Sequence, residues 1–312
     1  MTATSNPNRA YSAAHFALEL DDNQQVGLFR SIEGGSIKAD VMTYQNGANY
    51  DRWRQLGKPK FEDIKIQTGM SMSAPFYAWI SKFFSGQPDR KNGAIVAADF
   101  NYYERARREF KEAMIKELTF PKLDGQDKNA AYMTVALSVE ELVFLPGNKS
   151  RRLQQAAGTE KQKLWASCNF SFSLDGFEAA CQRVTKIDSF TIKQNIIEYH
   201  TGTQRGPIKA PSQIDFPQLT FYVPEADADP FFKRFHERGV TGQVRDSSQN
   251  KSGELIVFDA DEAKNQLFSL QFYGADIANV QPDKADSSSE EIKQVKIDLY
   301  TERMEFKYLA GG

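Results

Sequence analysis

Apolar and polar positions alternate with a period of two over short stretches of this chain, the pattern of strands that lay one face on a core. Phe16, Leu18 and Leu20 begin it, Asp21-Asp22-Asn23 makes a turn, and Val26 to Phe29 returns, which predicts a β-hairpin. Ile37, Ala39 and Val41 alternate toward Tyr44, and Ile64 and Ile66 mark a further strand. The residues between, Gln45 to Lys60, are polar and carry Gly47, Gly57 and Pro59, so they read as a long connecting loop of the kind that is usually functional. After Pro75 the period changes. Phe76, Ile80, Phe83 and Phe84 fall on one helical face, with Ser71 or Ser73 as the cap, and that stripe is expected to be core.

The same pattern is then written a second time. Phe61 and Phe216, Pro75 and Pro230, Phe76 and Phe231, Tyr77 and Phe232, and Ile80 and Phe235 are each 155 residues apart. His15 to Asp22 answers Asn169 to Gly176, Ser31 to Tyr44 answers Lys186 to Tyr199, and Asn92 to Asp99 answers Ser252 to Asp259. A repeat of this period means one module used twice. In the second copy Asp227 or Asp229 is the expected cap, and Phe231, Phe232 and Phe235 the expected apolar face.

The repeat decides one ambiguous stretch. Glu104 to Glu117 carries charges at helical spacing, whereas its partner Lys264 to Phe272 alternates like a strand. Symmetry favours a strand from about Glu109, preceded by a short helical or turn insertion. Leu118 to Asp127 and Ile277 to Asp286 read as loops, and Met133 to Phe144 and Ile292 to Phe306 as the closing strands. The expected architecture is mainly β (α+β): two tandem antiparallel β-sandwich or barrel modules, each with one flanking helix. A flexible N-terminal arm (1–13) precedes module 1 (14–145), a linker (146–164) and module 2 (165–309).

Composition changes the picture mostly by exclusion. The 312 residues suit two domains, and 39 Lys plus Arg against 41 Asp plus Glu give a net charge of −2, so no global field points to nucleic acid or an anionic membrane. No apolar run is long enough to span a membrane, and the start lacks the layout of a signal peptide, so no membrane partner and a cytosolic setting are expected. Cys168 and Cys181 read as reduced thiols. His15, His200 and His236 have no acidic or cysteine neighbours at metal-ligand spacing. With no nucleophile elbow, phosphate loop or dinucleotide glycine pattern either, the expectation is a protein that is not an enzyme and uses no cofactor.

Several motifs carry a resemblance: Phe16 to Leu20 with its turn, Ser31-Ile32-Glu33-Gly34-Gly35, Arg52 to Phe61, Phe76-Tyr77-Ala78-Trp79-Ile80, and Gly93 to Asp99. In this order they resemble the tail-tube protein family of contractile phages, including the inner-tube proteins of phage-tail-like contractile injection systems. The likeness covers nearly all of module 1 and is weaker in module 2, where Ser189-Phe190 replaces Gly34-Gly35. It implies a structural subunit of stacked rings around a lumen, or a tube initiator, terminator or baseplate adaptor with the same fold. The implied partners are other copies of itself, with three two-module chains giving a pseudo-sixfold ring, together with sheath, tape-measure and baseplate proteins. DNA or protein cargo would be met only in transit, in a virion tail or injection particle assembled in the bacterial cytoplasm. Arg52, Trp53, Arg54, Leu56 and Lys58 are the candidate inter-subunit contacts, with Trp53 the anchor. A ligand-binding barrel is the competing class, and it would need an apolar cavity.

Overall fold

The computed structural model describes residues 14–21, 24–45, 47, 50–154, 165–203, 205–242, 251–260, 265–282 and 292–309. The expected arm at 1–13 and residues 155–164 of the linker lie outside them. Strands β1 (His15–Leu20), β2 (Gln24–Phe29), β3 (Ser31–Gly34), β4 (Ile37–Gln45), β5 (Arg52–Phe61) and β6 (Ile64–Thr68) precede helix α1 (Ala74–Phe84). Strands β7 (Lys91–Ala98), β8 (Glu104–Phe120), β9 (Leu123–Asp124), β10 (Met133–Ser138) and β11 (Glu141–Pro146) follow. The second half runs β12 (Trp165–Leu174), α2 (Glu178–Cys181), β13 (Lys186–Ile187), β14 (Phe190–Tyr199), β15 (Ile208–Asp215), β16 (Leu219–Pro224), α3 (Asp229–Phe235), β17 (Lys251–Asp259), β18 (Gln266–Pro282), β19 (Gln294–Tyr300) and β20 (Arg303–Tyr308). The fold is mainly β with antiparallel sheets, as the alternation implies.

Pairings recur at fixed spacing. Lys91 faces Ala113 and Gly93 faces Phe110 across β7–β8, while Lys251 faces Ala275 and Gly253 faces Phe272 across β17–β18. Each ladder skips a residue of the longer strand between those pairs, a β-bulge that bends the strand. The bulge puts Glu112 at φ 51° and Gly274 at φ 64°. A second bulge also recurs, between Ile115 and Glu117 on β8 and between Ile277 and Asn279 on β18. The result is a 17-residue strand in each half that serves two sets of partners. On β8, β7 and β11 flank the first part, and β10 and β14 the last.

Several expectations are corrected here. Most of Gln45–Lys60 is not a loop, because β5 begins at Arg52 and pairs along β4. This two-stranded sheet is exposed along most of its length: β4 alternates without a buried face, and β5 lacks the apolar alternation that marks a strand. Glu104–Phe120 is strand throughout, with no helical insertion, since its charged residues find partners across strands. The expected loops at 118 and 277 are strand as far as Phe120 and Pro282. Ser73 is the N-cap residue of α1 but makes no side-chain cap bond, and Ala228, not an aspartate, caps α3. The α1 stripe is buried as expected; on α3 only Phe231 is, with Phe232 left exposed.

The core also departs from two self-contained modules. One apolar cluster runs from Leu18 to Phe306, and at its centre Phe120 meets Phe190 at 5.1 Å, Phe268 at 5.8 Å and Phe306 at 6.4 Å between ring centroids. The first part of the expected linker is likewise packed on module 1. Leu153 is buried, and Arg151 pairs with Glu19 and Glu104, two buried carboxylates that Arg107 also holds. Burying those charges is tolerable only because each is paired.

Gly93 and Gly253 are fixed by close approach. A methyl group on Gly93 would sit 2.1 Å from the Glu19 carbonyl oxygen and 2.7 Å from the Phe110 ring, and one on Gly253 would sit 2.6 Å from the Ser173 oxygen and 2.7 Å from the Phe272 ring. Gly93→Ala is therefore expected to cost about 1–3 kcal/mol by overpacking, read as a lower urea midpoint, with Gly253→Ala matching it in sign.

Candidate functional site

The two halves meet along one ladder. Asp124, Leu123, Phe120, Thr119, Leu118 and Glu117 face Lys186, Ile187, Phe190, Thr191, Ile192 and Lys193 in turn, so β8–β9 and β13–β14 form a single antiparallel seam. Thr119 and Thr191 share a hydroxyl hydrogen bond of 2.8 Å across it. Helix α1 completes the junction by packing on β20, where Tyr77 stacks on Tyr308 at 4.2 Å and Ser81 Oγ donates to the Phe306 carbonyl at 3.1 Å. Burial raises the Tyr77 phenol far above its ordinary range. A polar cluster closes the rim: Glu140 accepts from Arg90 at 2.8 Å and from the Lys209 backbone N–H at 2.7 Å, and Lys209 Nζ donates to Ser138 Oγ at 3.0 Å.

The matching hairpin of the first half has no such seat. Sheet β4–β5 pairs only with itself among the described residues. Its registers repeat those of β14–β15: Lys38 faces Lys60 and Thr43 faces Arg54, as Lys193 faces Asp215 and Glu198 faces Lys209. Asp40 accepts from Lys60 at 2.7 Å, and that bond raises the lysine above its usual range. Ile37, Val41, Met42, Tyr44, Trp53 and Leu56 all stand exposed on this hairpin.

All five candidate contact residues lie on β5 and are exposed. Trp53 faces Tyr44 across the hairpin, whereas Arg52, Arg54 and Leu56 face Gln45, Thr43 and Val41. Because side chains alternate along a strand, Trp53 projects to one face, and its sequence neighbours Arg52 and Arg54 to the other. Sequence reasoning missed the seam itself. Leu118 to Asp127 reads as loop on one side, and nothing in the period of a single strand names its partner.

The described residues hold no cluster suited to a metal ion, and His15 stacks on Tyr102 at 3.8 Å. A pocket at the junction, lined by Trp79, Phe83, Ile115, Gln194 and Pro211 among others, encloses about 10 Å³. That is the room one water needs.

The geometry is thus that of a β-rich chain in which one hairpin seats in the sheet of the other half while its counterpart pairs only with itself among the described residues. Residues 12–143 match the family described as T4-like virus tail tube protein gp19. Among solved structures, a chain in an extended-state sheath-tube complex of PVC, an extracellular contractile injection system, is 18% identical, covers 47% of this chain and 99% of its own length, and gives a TM-score of 0.41. A chain of the tube-terminating cap of the anti-feeding prophage is 20% identical over 47% of this chain and 100% of its own (TM-score 0.39). One from that particle's baseplate is 14% identical over 44% and 96% (TM-score 0.38). No curated protein matches the chain.

Glu140→Ala is expected to lower stability by about 1–3 kcal/mol, because it leaves the Lys209 N–H without its acceptor at the rim and removes one of the partners of Arg90. Equilibrium denaturation monitored by fluorescence, set against Glu141→Ala, whose half-exposed carboxylate pairs with Lys111, measures it.

Proposed function

We propose that this protein is a structural building block of the inner tube of a contractile phage tail or phage-tail-like injection system, forming stacked rings around a lumen. The observation that carries the reading is the tail-tube family match over residues 12–143. The recurrence of the module's registers in the second half supports two tube-like modules, 14–145 and 165–309, joined by a linker at 146–164. Three chains placed side by side then supply six module places, and a closed ring leaves no open sheet edge. Sheath, tape-measure and baseplate proteins are the partners of such a tube, with DNA or protein cargo in transit. The particle is assembled in the bacterial cytoplasm, and the subunit has no catalytic role.

A tube initiator, terminator or baseplate adaptor is the second reading. It is favoured by the unlike halves, Gly34-Gly35 in one and Ser189-Phe190 in the other, which suit a ring whose contacts alternate. Copy number per particle separates the two: hundreds for a tube subunit, one ring for an adaptor.

Native mass spectrometry and symmetry-free particle images are expected to show three chains per ring, and six chains with module 2 outside the lumen-lining sheet would overturn the arrangement. Trp53→Ala should weaken assembly by about 2 kcal/mol or more with the monomer's melting temperature unchanged. Assembled protein should bind duplex DNA weakly, because tight, salt-sensitive binding needs a basic wall and the chain has net charge −2.

A further inference from the structure

We infer that a second copy of this chain docks head to tail on the first and repeats, between chains, the seam that already exists within one. The inference deepens the ring reading above and rests on it. The internal junction uses four surfaces: the outer edge of β8 and Tyr77 of α1 from module 1, with β14 and Phe306 of β20 from module 2. Each has a counterpart at fixed spacing in the other half. These are the β18 edge at Asn279–Pro282, Phe232, the stretch Gly35–Lys38 that leads into β4, and Phe144 of β11.

Burial separates the two sets. Ile192 is 0% exposed and its counterpart Ile37 43%; Tyr77 is 0% and Phe232 37%; Phe306 is 3% and Phe144 50%. The side chains that bury at the internal junction thus recur as exposed apolar groups at the matching positions of the other half. The free donor surface lies on module 1 and the free acceptor on module 2, and β4–β5 and the outer edge of Asn279–Pro282 make no strand pairing with each other within the chain. The occupant that fits each is the other end of an identical chain.

The internal register dictates the external one. Phe190, Thr191, Ile192 and Lys193 face Phe120, Thr119, Leu118 and Glu117. Gly35, Ser36, Ile37 and Lys38 therefore face Pro282, Gln281, Val280 and Asn279 of the neighbour. The rim follows the same rule. Glu140 and Glu302 are counterparts, since Glu140 N–H donates to the Lys111 carbonyl as Glu302 N–H donates to that of Tyr273. Lys209, whose backbone N–H donates to Glu140, corresponds to Arg54, so docking brings the Arg54 backbone to the neighbour's Glu302.

The test is Ile37→Cys with Val280→Cys in full-length protein carrying Cys168→Ser, Cys181 being buried. Facing residues of an antiparallel pair have Cα atoms about 4.5–5.5 Å apart, within the ~4.4–6.8 Å reach of a disulfide. Oxidation should give covalent multimers on a non-reducing gel, each single variant should stay at the monomer position, and Ile37→Cys with Gln281→Cys, one residue out of register, should lose most of the crosslink. In parallel, Ile37→Glu should abolish association without moving the monomer's melting temperature, whereas Ile192→Glu should lower it. Rings that form without the in-register crosslink, or an out-of-register pair that links equally well, would overturn this inference and leave the tube reading standing. Crosslinked rings that never stack would overturn the tube reading and leave the seam standing. Protein that stays monomeric in every assay overturns both.

Discussion

An open strand edge presents a row of backbone donors and acceptors that must be satisfied by water or by another strand. The whole molecule is arranged around closing one such edge. The outer side of β8 accepts β14 in an antiparallel ladder that continues into β9 and β13, so the two halves share a sheet. Separating them would expose this backbone edge together with the aromatic cluster of Phe120, Phe190, Phe268 and Phe306 beneath it. Backbone pairing fixes the register, and apolar burial beneath it supplies most of the drive.

The bulges make that edge available. A straight 17-residue strand would keep the same two neighbours along its length. Two register breaks let β8 leave β7 and β11 and take up β10 and β14 instead. The left-handed φ of 51° at Glu112 is the local cost of the bend in one half, a cost that Gly274 at φ 64° avoids in the other. Glycines 93 and 253 serve the neighbouring need, letting an aromatic ring lie over the strand.

What the sequence disclosed divides along physical lines. Short alternating runs and the proline-aromatic helix starts were legible, because each is a local signal with its own period. The repeat made the second half legible from the first. The strand character of Arg52–Phe61 was hidden, since a hairpin wet on both faces has no reason to alternate. Glu19 shows the converse: it reads as the polar face of β1, yet it is fully buried, held by arginines 107 and 151, which lie far away in sequence. Phe232 reads as core by its likeness to Tyr77 and is exposed, because what covers Tyr77 is a strand from the other half. Partners distant in sequence leave no periodic trace.

Holding two modules on one chain has a kinetic side. In the proposed ring, every second seam closes within a molecule, at an effective concentration set by the connecting segment and not by how much protein the cell has made. Only the remaining seams depend on encounter. The proposed ring would also hold an even number of modules, so the odd-numbered rings open to a single-module subunit would be excluded by covalent connectivity.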